Sequence, residues 1–225
     1  MSVDSEHARP DPIVPGFGPD RCRAYLEGNE GAPPREQLVH AVERFRSPAA
    51  SGGSPYALDV GCGPGREAAF LRARGFRVLA VDPVREMLER TRAAVAALDG
   101  GADGLETLHA TLEECADALP IASFDLVHAG FVLPFVRPSD FGRSFAALER
   151  SMKPGGVFVG QLFGPSDEFV RDAPADTITS HDGTELPALF GRFDLLAHDE
   201  IAREGRIGRG RAKWWHVHHV IARLR

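Results

Sequence analysis

Blocks of apolar and polar positions along the chain predict strands and helices in turn. Short apolar runs predict five strands up to residue 163: Tyr56–Val60, Arg77–Val81, Leu105–Leu108, Phe124–Ala129 and Val157–Phe163. Between and before them, apolar residues at helical spacing predict helices over 35–45, 66–74, 84–98 and 140–152, with a short helix or loop at 113–119. Strands that alternate with helices in this way indicate a parallel sheet with right-handed crossovers.

The pattern changes near the C-terminus. Phe193–Ala197 and Lys213–Ala222 both predict strands, and the arginine-rich stretch Arg203–Arg211 between them contains three glycines. This combination predicts an antiparallel hairpin with a long loop. The sequence as a whole therefore predicts a Rossmann-like α/β fold, a doubly wound, seven-stranded and mostly parallel sheet with an antiparallel C-terminal hairpin.

We expect one folded domain. Residues 1–20 are rich in proline and predict a flexible arm, and 21–225 form the domain. Within it, 21–55 make an N-terminal lid segment, 56–163 a ligand-binding core, and 164–225 a substrate-side segment with the hairpin. A chain of 225 residues is long enough for one well-buried α/β domain and short for two.

Charge and cysteine content narrow the class of protein. The net charge of −6 argues against nucleic acid or an anionic membrane as a partner. No apolar run reaches the length of a membrane span, and the first residues do not resemble a secretory signal. Three widely spaced cysteines fit reduced thiols, so we expect a cytoplasmic protein. The oligomeric state stays open.

A glycine turn follows the first predicted strand and opens a helix. Gly61, Gly63 and Gly65 are spaced differently from a dinucleotide-binding fingerprint, and Arg66 occupies the position that should be small. The preceding acid, Asp59, would repel a pyrophosphate but suits a ligand with an ammonium or sulfonium group. The turn therefore predicts a cofactor site at the carboxyl end of the strand.

The second strand ends in an acid. Asp82 follows Gly61 by 21 residues, where a carboxylate is expected to accept the hydroxyl groups of a ribose. Together with Asp59 and the glycine spacing, this acid resembles the S-adenosylmethionine (SAM) site of class I methyltransferases. A glycine-rich turn that binds no ligand would not explain why Asp59 and Asp82 stand at these two positions.

Four segments in order resemble the motifs of class I SAM-dependent methyltransferases. Leu58–Gly65 is similar to their motif I, Val78–Asp82 to the second motif, and Phe124–Val127 to motif IV. Leu148 with Met152–Gly156 resembles their LxxxLKPGG segment. The resemblance covers residues 57 to 160 and implies that the chain uses SAM and releases S-adenosylhomocysteine (SAH).

The resemblance also implies roles for single residues on the cofactor side. Asp59 and the 61–65 loop would contact the methionine end of SAM, and Asp82 its ribose. The remaining cofactor contacts that the resemblance implies are Tyr25, Pro83, Met87, Leu112, Glu113 and Ala129.

A narrower likeness extends to the acceptor side. Ala129–Phe135, Gly160–Gly164 and Lys213–Val217 resemble small bacterial methyltransferases of the tellurite-resistance type. Aromatic residues in or near these segments are expected to line the acceptor pocket above the carboxyl ends of the strands: Phe131, Phe135, Phe163, Trp214 and Trp215.

Histidines supply candidates for a general base. His216, at the start of the last strand, is the first choice, while His128 inside the fourth strand is expected to be a core residue. His216 and His218 share one face of the strand, but no third ligand is evident, so the sequence predicts no metal site. The Arg206, Arg209 and Arg211 loop either holds an anionic substrate or is solvated surface.

The leading functional hypothesis is an enzyme that transfers a methyl group from SAM to a small molecule. The acceptor atom is open among oxygen, nitrogen, a carboxylate and a chalcogen. One alternative is an NAD(P)-dependent oxidoreductase, which the glycine spacing and Arg66 disfavour. Another is a non-catalytic SAM-binding module.

Overall fold

The computed structural model describes residues 26–28, 31–45, 53–207 and 210–225. Its strands are β1 Tyr56–Val60, β2 Arg77–Asp82, β3 Leu105–His109, β4 Phe124–Ala129, β5 Met152–Phe163, β6 Phe193–Arg206 and β7 Ala212–Leu224. Its α-helices include α1 Glu36–Arg44, α2 Arg66–Ala73, α3 Arg85–Ala96, α4 Leu112–Cys115, α5 Pro138–Ser151, α6 Glu168–Asp172 and α7 Leu186–Leu189. Short 3₁₀ turns lie at Ala116–Ala118 and Leu133–Phe135.

The strands form one seven-stranded sheet in the order β3-β2-β1-β4-β5-β7-β6. The first five strands pair in parallel, whereas β7 pairs antiparallel with both β5 and β6. The predicted fold, a Rossmann-like sheet that ends in an antiparallel hairpin, is therefore confirmed.

Alternation along β1 shows why both faces of the sheet are covered. Ala57 packs on one face with Leu38 and Leu71 from helices α1 and α2. Leu58 packs on the other face with Phe141 and Phe145 from α5. Successive side chains of a strand point to opposite faces, so an apolar run such as Tyr56–Val60 has to be buried on both sides.

The fifth strand begins earlier than predicted. Pro154, Gly155 and Gly156 were expected to precede the strand, but β5 starts at Met152, which pairs with Phe124. The register shifts between Phe124 and Leu126, and Gly155 has a φ of +80°. The strand therefore includes the proline and the two glycines by means of an irregularity in its pairing with β4, although the local sequence predicted that these residues precede the strand.

Two further boundaries differ from the prediction. Helix α5 begins at Pro138, two residues before the predicted start at 140, and it has no side-chain cap. Strand β6 continues to Arg206 because its backbone pairs with β7 as far as Ala212. The first four residues of the predicted long loop, 203–206, are therefore strand.

Some predictions fall on residues that the structure leaves undescribed. Tyr25, Cys22 and the predicted arm 1–20 lie outside the described residues, so the proposed domain division stays a prediction. Across the described ranges, no helix is both long and apolar enough to cross a membrane.

The turn between β1 and α2 packs tightly against α3. Gly65 has a φ of +87°, and a Cβ atom built there would lie 2.5 Å from the Thr91 Cα atom. The Thr91 hydroxyl donates to the Gly63 carbonyl at 2.9 Å. Glycine is therefore required at position 65 for two reasons: the backbone is left-handed there, and α3 leaves no space for a side chain.

We predict that Gly65→Ala lowers the free energy of unfolding by about 1–3 kcal/mol, because alanine would be strained in the left-handed region and would overlap Thr91. Chemical denaturation measures the change. Gly142→Ala is the matched control, since Gly142 lies in α5 with open space around it and should gain up to about 1 kcal/mol. Equal stability of Gly65→Ala and the wild type would contradict this account.

Candidate functional site

A large cleft lies above the carboxyl ends of the parallel strands, with a volume of about 1690 Å³. Its wall combines the turn after β1, the end of β2, the segment after β4 and the inner face of the β6–β7 hairpin. Parallel strands place their carboxyl ends at one edge, so residues distant in sequence meet there.

The glycine turn forms one end of the cleft. Gly61 and Gly63 line it, and both have positive φ angles, +64° and +53°. The Asp82 carboxylate also lines the cleft and accepts hydrogen bonds from the backbone amides of Gly63 and Val84, both at 2.9 Å. The acid at the end of β2 thereby fixes the turn at the end of β1.

Most of the predicted cofactor residues that the structure describes lie on this end of the cleft. In addition to Gly61, Gly63 and Asp82, the cleft lining includes Pro83, Met87, Leu112 and Glu113. Three others lie behind the lining: Asp59, Gly65 and Ala129. Ala129 itself is buried, and its neighbour Gly130 lines the cleft.

Asp59 lies beneath the turn rather than in the cleft. Its side chain is fully buried, and His128 Nδ1 lies 2.7 Å from Asp59 Oδ1. Burial raises the pKa of Asp59, although the hydrogen bond with His128 opposes the shift. The predicted direct contact of Asp59 with a ligand is thus replaced by a buried acid–imidazole pair that supports β1 and β4, and His128 is the core residue that the sequence predicted.

Glu67 connects this region to the N-terminal helix. Its carboxylate accepts hydrogen bonds from Arg66 Nε at 2.8 Å and from the Arg35 backbone amide at 3.3 Å. Burial acts to raise the pKa of Glu67, but His128, Arg66 and Arg35 outweigh it and hold the pKa below its ordinary value. The buried carboxylate therefore holds Arg35 at the edge of the cleft, which Arg35 also lines.

Aromatic side chains form the other end of the cleft. Phe131, Phe135, Phe163 and Trp215 line it, together with Phe169 from α6. Phe131 has a φ of +57°, and its backbone amide donates to Gln161 Oε1 at 3.2 Å. The Arg35 guanidinium lies 4.7 Å from the centre of the Phe131 ring. A non-glycine residue held in the left-handed region is typical of functional sites.

A buried ion pair organises the aromatic wall. The side chains of Lys213 and Asp167 are both fully buried and bonded to each other. The Lys213 ammonium lies 3.9 Å from the ring centres of Phe169 and Trp215. Burial lowers the pKa of Lys213, against the effect of Asp167, which raises it. Asp167 also accepts from the His216 backbone amide at 2.9 Å, so the pair fixes the segment after β5 to β7.

Strand β7 divides its side chains between two faces. Trp215, Val217 and His219 line the cleft. Trp214 and His216 lie on the opposite face, outside the cleft lining among the described residues. The prediction placed both tryptophans in the acceptor pocket, but adjacent residues of a strand cannot share a face. For the same reason, His216 is directed away from the site where a base would act.

Arginines surround the cleft. Five of them belong to its lining: Arg35, Arg137, Arg203, Arg206 and Arg211. Arg211 is paired with Glu168, and Arg206 donates to the Gly210 carbonyl at 3.1 Å. Arg209 lies outside the described residues. The arginine-rich stretch thus contributes partly to the cleft and partly to the hairpin turn.

Sequence reasoning missed Arg35, Phe169 and His219. Nothing local marks Arg35 or Phe169, because α1 and α6 reach the cleft only through the tertiary fold. His219 could have been predicted from Trp215. Alternate residues of a strand lie on the same face, so a strand that directs Trp215 into the cleft also directs His219 there.

Comparison with known proteins adds two kinds of similarity. Residues 58–160 match the protein family described as a methyltransferase domain. Among curated proteins, none matches the chain significantly.

Several solved structures share the fold. TehB from Haemophilus influenzae superposes with a TM-score of 0.68 at 15% identity, covering 89% of this chain and 66% of TehB, so the chain spans just under two thirds of that protein. The N-methyltransferase NodS from Bradyrhizobium japonicum WM9, solved with SAH, has a TM-score of 0.59 at 14% identity, with 96% and 93% covered. The 1,6-didemethyltoxoflavin-N1-methyltransferase from Burkholderia thailandensis, solved with its acceptor and SAH, has a TM-score of 0.60 at 19% identity, with 100% and 98% covered. Likeness at these identities shows the fold alone.

We predict that Glu67→Gln lowers the free energy of unfolding by about 1–3 kcal/mol at neutral pH, because the buried arginine contacts lose their charged acceptor. The pKa of Glu67 is lower in the folded chain than its ordinary value of 4.5. Its contribution is therefore present above pH 4.5 and is lost as the pH falls through the folded pKa. Denaturation curves at a series of pH values should show the wild type and the variant converging in acid.

The matched control is Glu89→Gln, which changes an exposed glutamate on α3. It should leave the stability unchanged at every pH. A Glu67→Gln variant that is as stable as the wild type at neutral pH would show that the contacts of Glu67 do not stabilise the fold.

Proposed function

We propose that this chain, whose residues 58–160 match the methyltransferase domain family, transfers a methyl group from SAM to a small-molecule acceptor. One observation carries the proposal: a single cleft joins the glycine turn and Asp82 to an aromatic pocket. A cofactor and an acceptor bound at the two ends would therefore meet inside it.

The residues at the glycine end fit the chemistry of SAM. Asp82 offers a carboxylate for the ribose hydroxyls, and the turn offers backbone groups close to the ligand because Gly61 and Gly63 have no side chain. Met87 and Leu112 provide an apolar slot for the adenine, with Glu113 near its polar edge. SAM supplies a methyl group already activated by a sulfonium.

Arg35 is the residue that we assign to the carboxylate of the methionine part. It lines the cleft between the turn and Phe131, and Glu67 holds its backbone in place. An arginine fork binds a carboxylate through paired hydrogen bonds. The N-terminal segment therefore contributes a ligand contact as well as a cover that excludes water.

The pocket at the aromatic end suits a small, flat acceptor. Phe131, Phe135 and Trp215 offer ring surfaces for stacking, and Arg203 and Arg206 at the edge offer positive charge for an anionic group. A small molecule fits this enclosure better than a macromolecule. The family likeness leaves the acceptor atom open among oxygen, nitrogen, a carboxylate and a chalcogen.

His219 is the residue that we assign as general base. Its ring lines the cleft, and burial lowers the pKa of His219 below its ordinary value of 6.5. The ring is then neutral at neutral pH and able to accept a proton. Within the described part of the chain, His219 Nδ1 is buried without a hydrogen-bond partner. His219 takes the place of His216, whose side chain points to the other face.

We also propose that the protein acts in the cytoplasm and without a nucleic-acid partner. The acidic net charge supports action without nucleic acid, and the spaced cysteines support a cytoplasmic location. Arg66 and the glycine spacing do not suit a dinucleotide, so they favour a methyltransferase over an NAD(P)-dependent oxidoreductase.

The proposal is tested by calorimetric titration of the full chain with SAM, SAH and NAD(P), followed by an assay of SAH release with a panel of aromatic acceptors bearing hydroxyl, amine, carboxylate or selenol groups. Binding of SAM and acceptor-dependent release of SAH are expected. Tight binding of NAD(P) without SAM would reverse the assignment, and SAM binding without release on any acceptor would favour a binding module.

We predict that Asp82→Ala weakens SAM binding by about 1–3 kcal/mol, because charge-assisted hydrogen bonds to the ribose are lost. Calorimetry measures the affinity, and thermal unfolding of the same samples shows whether the variant stays folded. Glu86→Ala on the exposed side of α3 is the matched control and should bind SAM as the wild type does. Unchanged affinity in the Asp82 variant would mean that the second motif is misread.

We predict that His219→Gln lowers kcat by about 10²–10⁴-fold for an acceptor that must lose a proton. In the wild type, the rate should fall as the pH drops through the pKa of His219, which burial holds below its ordinary value of 6.5. That acidic limb should disappear in the variant. His40→Gln, which changes an exposed histidine on α1, should keep both the rate and the pH profile. An unaltered profile in His219→Gln would exclude this residue as the base.

A further inference from the structure

We infer that the outer face of the β6–β7 hairpin carries a site for a divalent transition-metal ion such as Zn²⁺, with Glu200, His216 and His218 as its ligands. One ligand atom from each of the three lies within 4.8 Å of the others. The site is separate from the proposed methyl transfer, since these side chains lie on the face of the hairpin opposite the cleft. The sequence offered two histidines without a third ligand, and the fold supplies that ligand.

Strand pairing brings the three side chains together. Glu200 is the direct partner of His218 across the β6–β7 ladder, and Ala202 is the partner of His216. Glu200 Oε1 lies 2.8 Å from His216 Nε2, and Glu200 Oε2 lies 3.9 Å from His218 Nδ1. Ligand atoms around a tetrahedral zinc ion are about 3.3 Å apart, given bonds of about 2.0–2.1 Å. The separations from the two Glu200 oxygens lie on either side of that value, and no pair of the three ligand atoms is more than 4.8 Å apart.

The surrounding chain holds the His216 ring in place. A Cβ atom at Gly164 would overlap the ring, so only glycine permits this arrangement. The Ser166 hydroxyl lies 2.7 Å from His216 Nδ1, the nitrogen that faces away from Glu200. The Ser166 backbone amide also donates to Nδ1 at 3.3 Å. A metal on Nε2 would require the ring proton to move to Nδ1, where the Ser166 hydroxyl can accept it, as the outer partner of a histidine ligand usually does.

Burial gives the cluster a closed side and an open side. His218 is fully buried, whereas the Glu200 side chain is 46% exposed and leaves a route from solvent. Gly183 passes close to the cluster, since a Cβ there would lie 3.4 Å from Glu200 Oε2. His198 offers a fourth nitrogen, with its Nε2 3.2 Å from His218 Nδ1.

The donor set selects the class of metal. Two imidazoles with one carboxylate suit zinc and other first-row transition metals, whereas magnesium and calcium prefer oxygen ligands alone. An ion bound here would bridge β6 and β7 behind the wall that carries Trp215 and His219. Its direct effect is therefore to stiffen the hairpin rather than to contact an acceptor.

The test is a titration of the chelator-treated full chain with Zn²⁺, followed by Co²⁺ substitution. One Zn²⁺ per chain, a higher melting temperature with Zn²⁺, and a visible Co²⁺ spectrum of the four-coordinate type are expected. A chain that takes up no Zn²⁺ at micromolar concentrations overturns the inference. SAM affinity measured on the same samples reports on the proposed function separately.

Variants at surface-accessible positions locate the site. Glu200→Gln and His216→Ala should each weaken Zn²⁺ binding by more than about 100-fold, and Ser166→Ala by about 10–100-fold, as for the loss of an outer partner. The matched controls are Asp194→Asn on the same strand and His40→Ala on α1, which should leave the affinity unchanged. Zn²⁺ binding that is unaffected by both ligand variants would place the metal elsewhere and overturn the assignment.

Discussion

The hydrogen bond from the Gly63 amide to Asp82 joins the two strand ends on which the cleft depends. It helps a turn with little side-chain bulk to keep one shape, because the backbone is held by the carboxylate and by the Thr91 hydroxyl in addition to its packing against α3. The same carboxylate lines the cleft. The shape of the turn and, in the proposed function, the recognition of the cofactor therefore depend on one acid.

In the β6–β7 hairpin, the alternation of side chains along the strand separates the residues that line the cleft from those of the proposed metal site. Trp215 and His219 face the cleft, while His216 and His218 face the opposite side with Glu200. Neither set can move to the other face without a one-residue slip of the whole strand. The long ladder between β6 and β7, which runs from Phe193 to Arg206, makes such a slip costly.

The sheet and most of the residues that line the cleft near the glycine turn could be predicted from sequence, because apolar runs, the glycine turn and Asp82 are local signals. The rest depended on distant partners. Asp59 is drawn beneath the turn by His128, 69 residues away in the chain, and Met152 joins β5 through Phe124. Arg35 reaches the cleft only because α1 packs on the sheet. The choice of Trp214 and His216, by contrast, was avoidable, because it ignored the parity set by Trp215.

The enclosed ammonium of Lys213 has a consequence for which molecules the neighbouring pocket admits. The ammonium already occupies the electron-rich side of Phe169 and Trp215. A cationic guest would compete with a resident cation for the same rings and would face the arginines at the entrance as well. If the aromatic end of the cleft holds the acceptor, we therefore expect a neutral or anionic acceptor rather than a quaternary ammonium compound or a protonated amine.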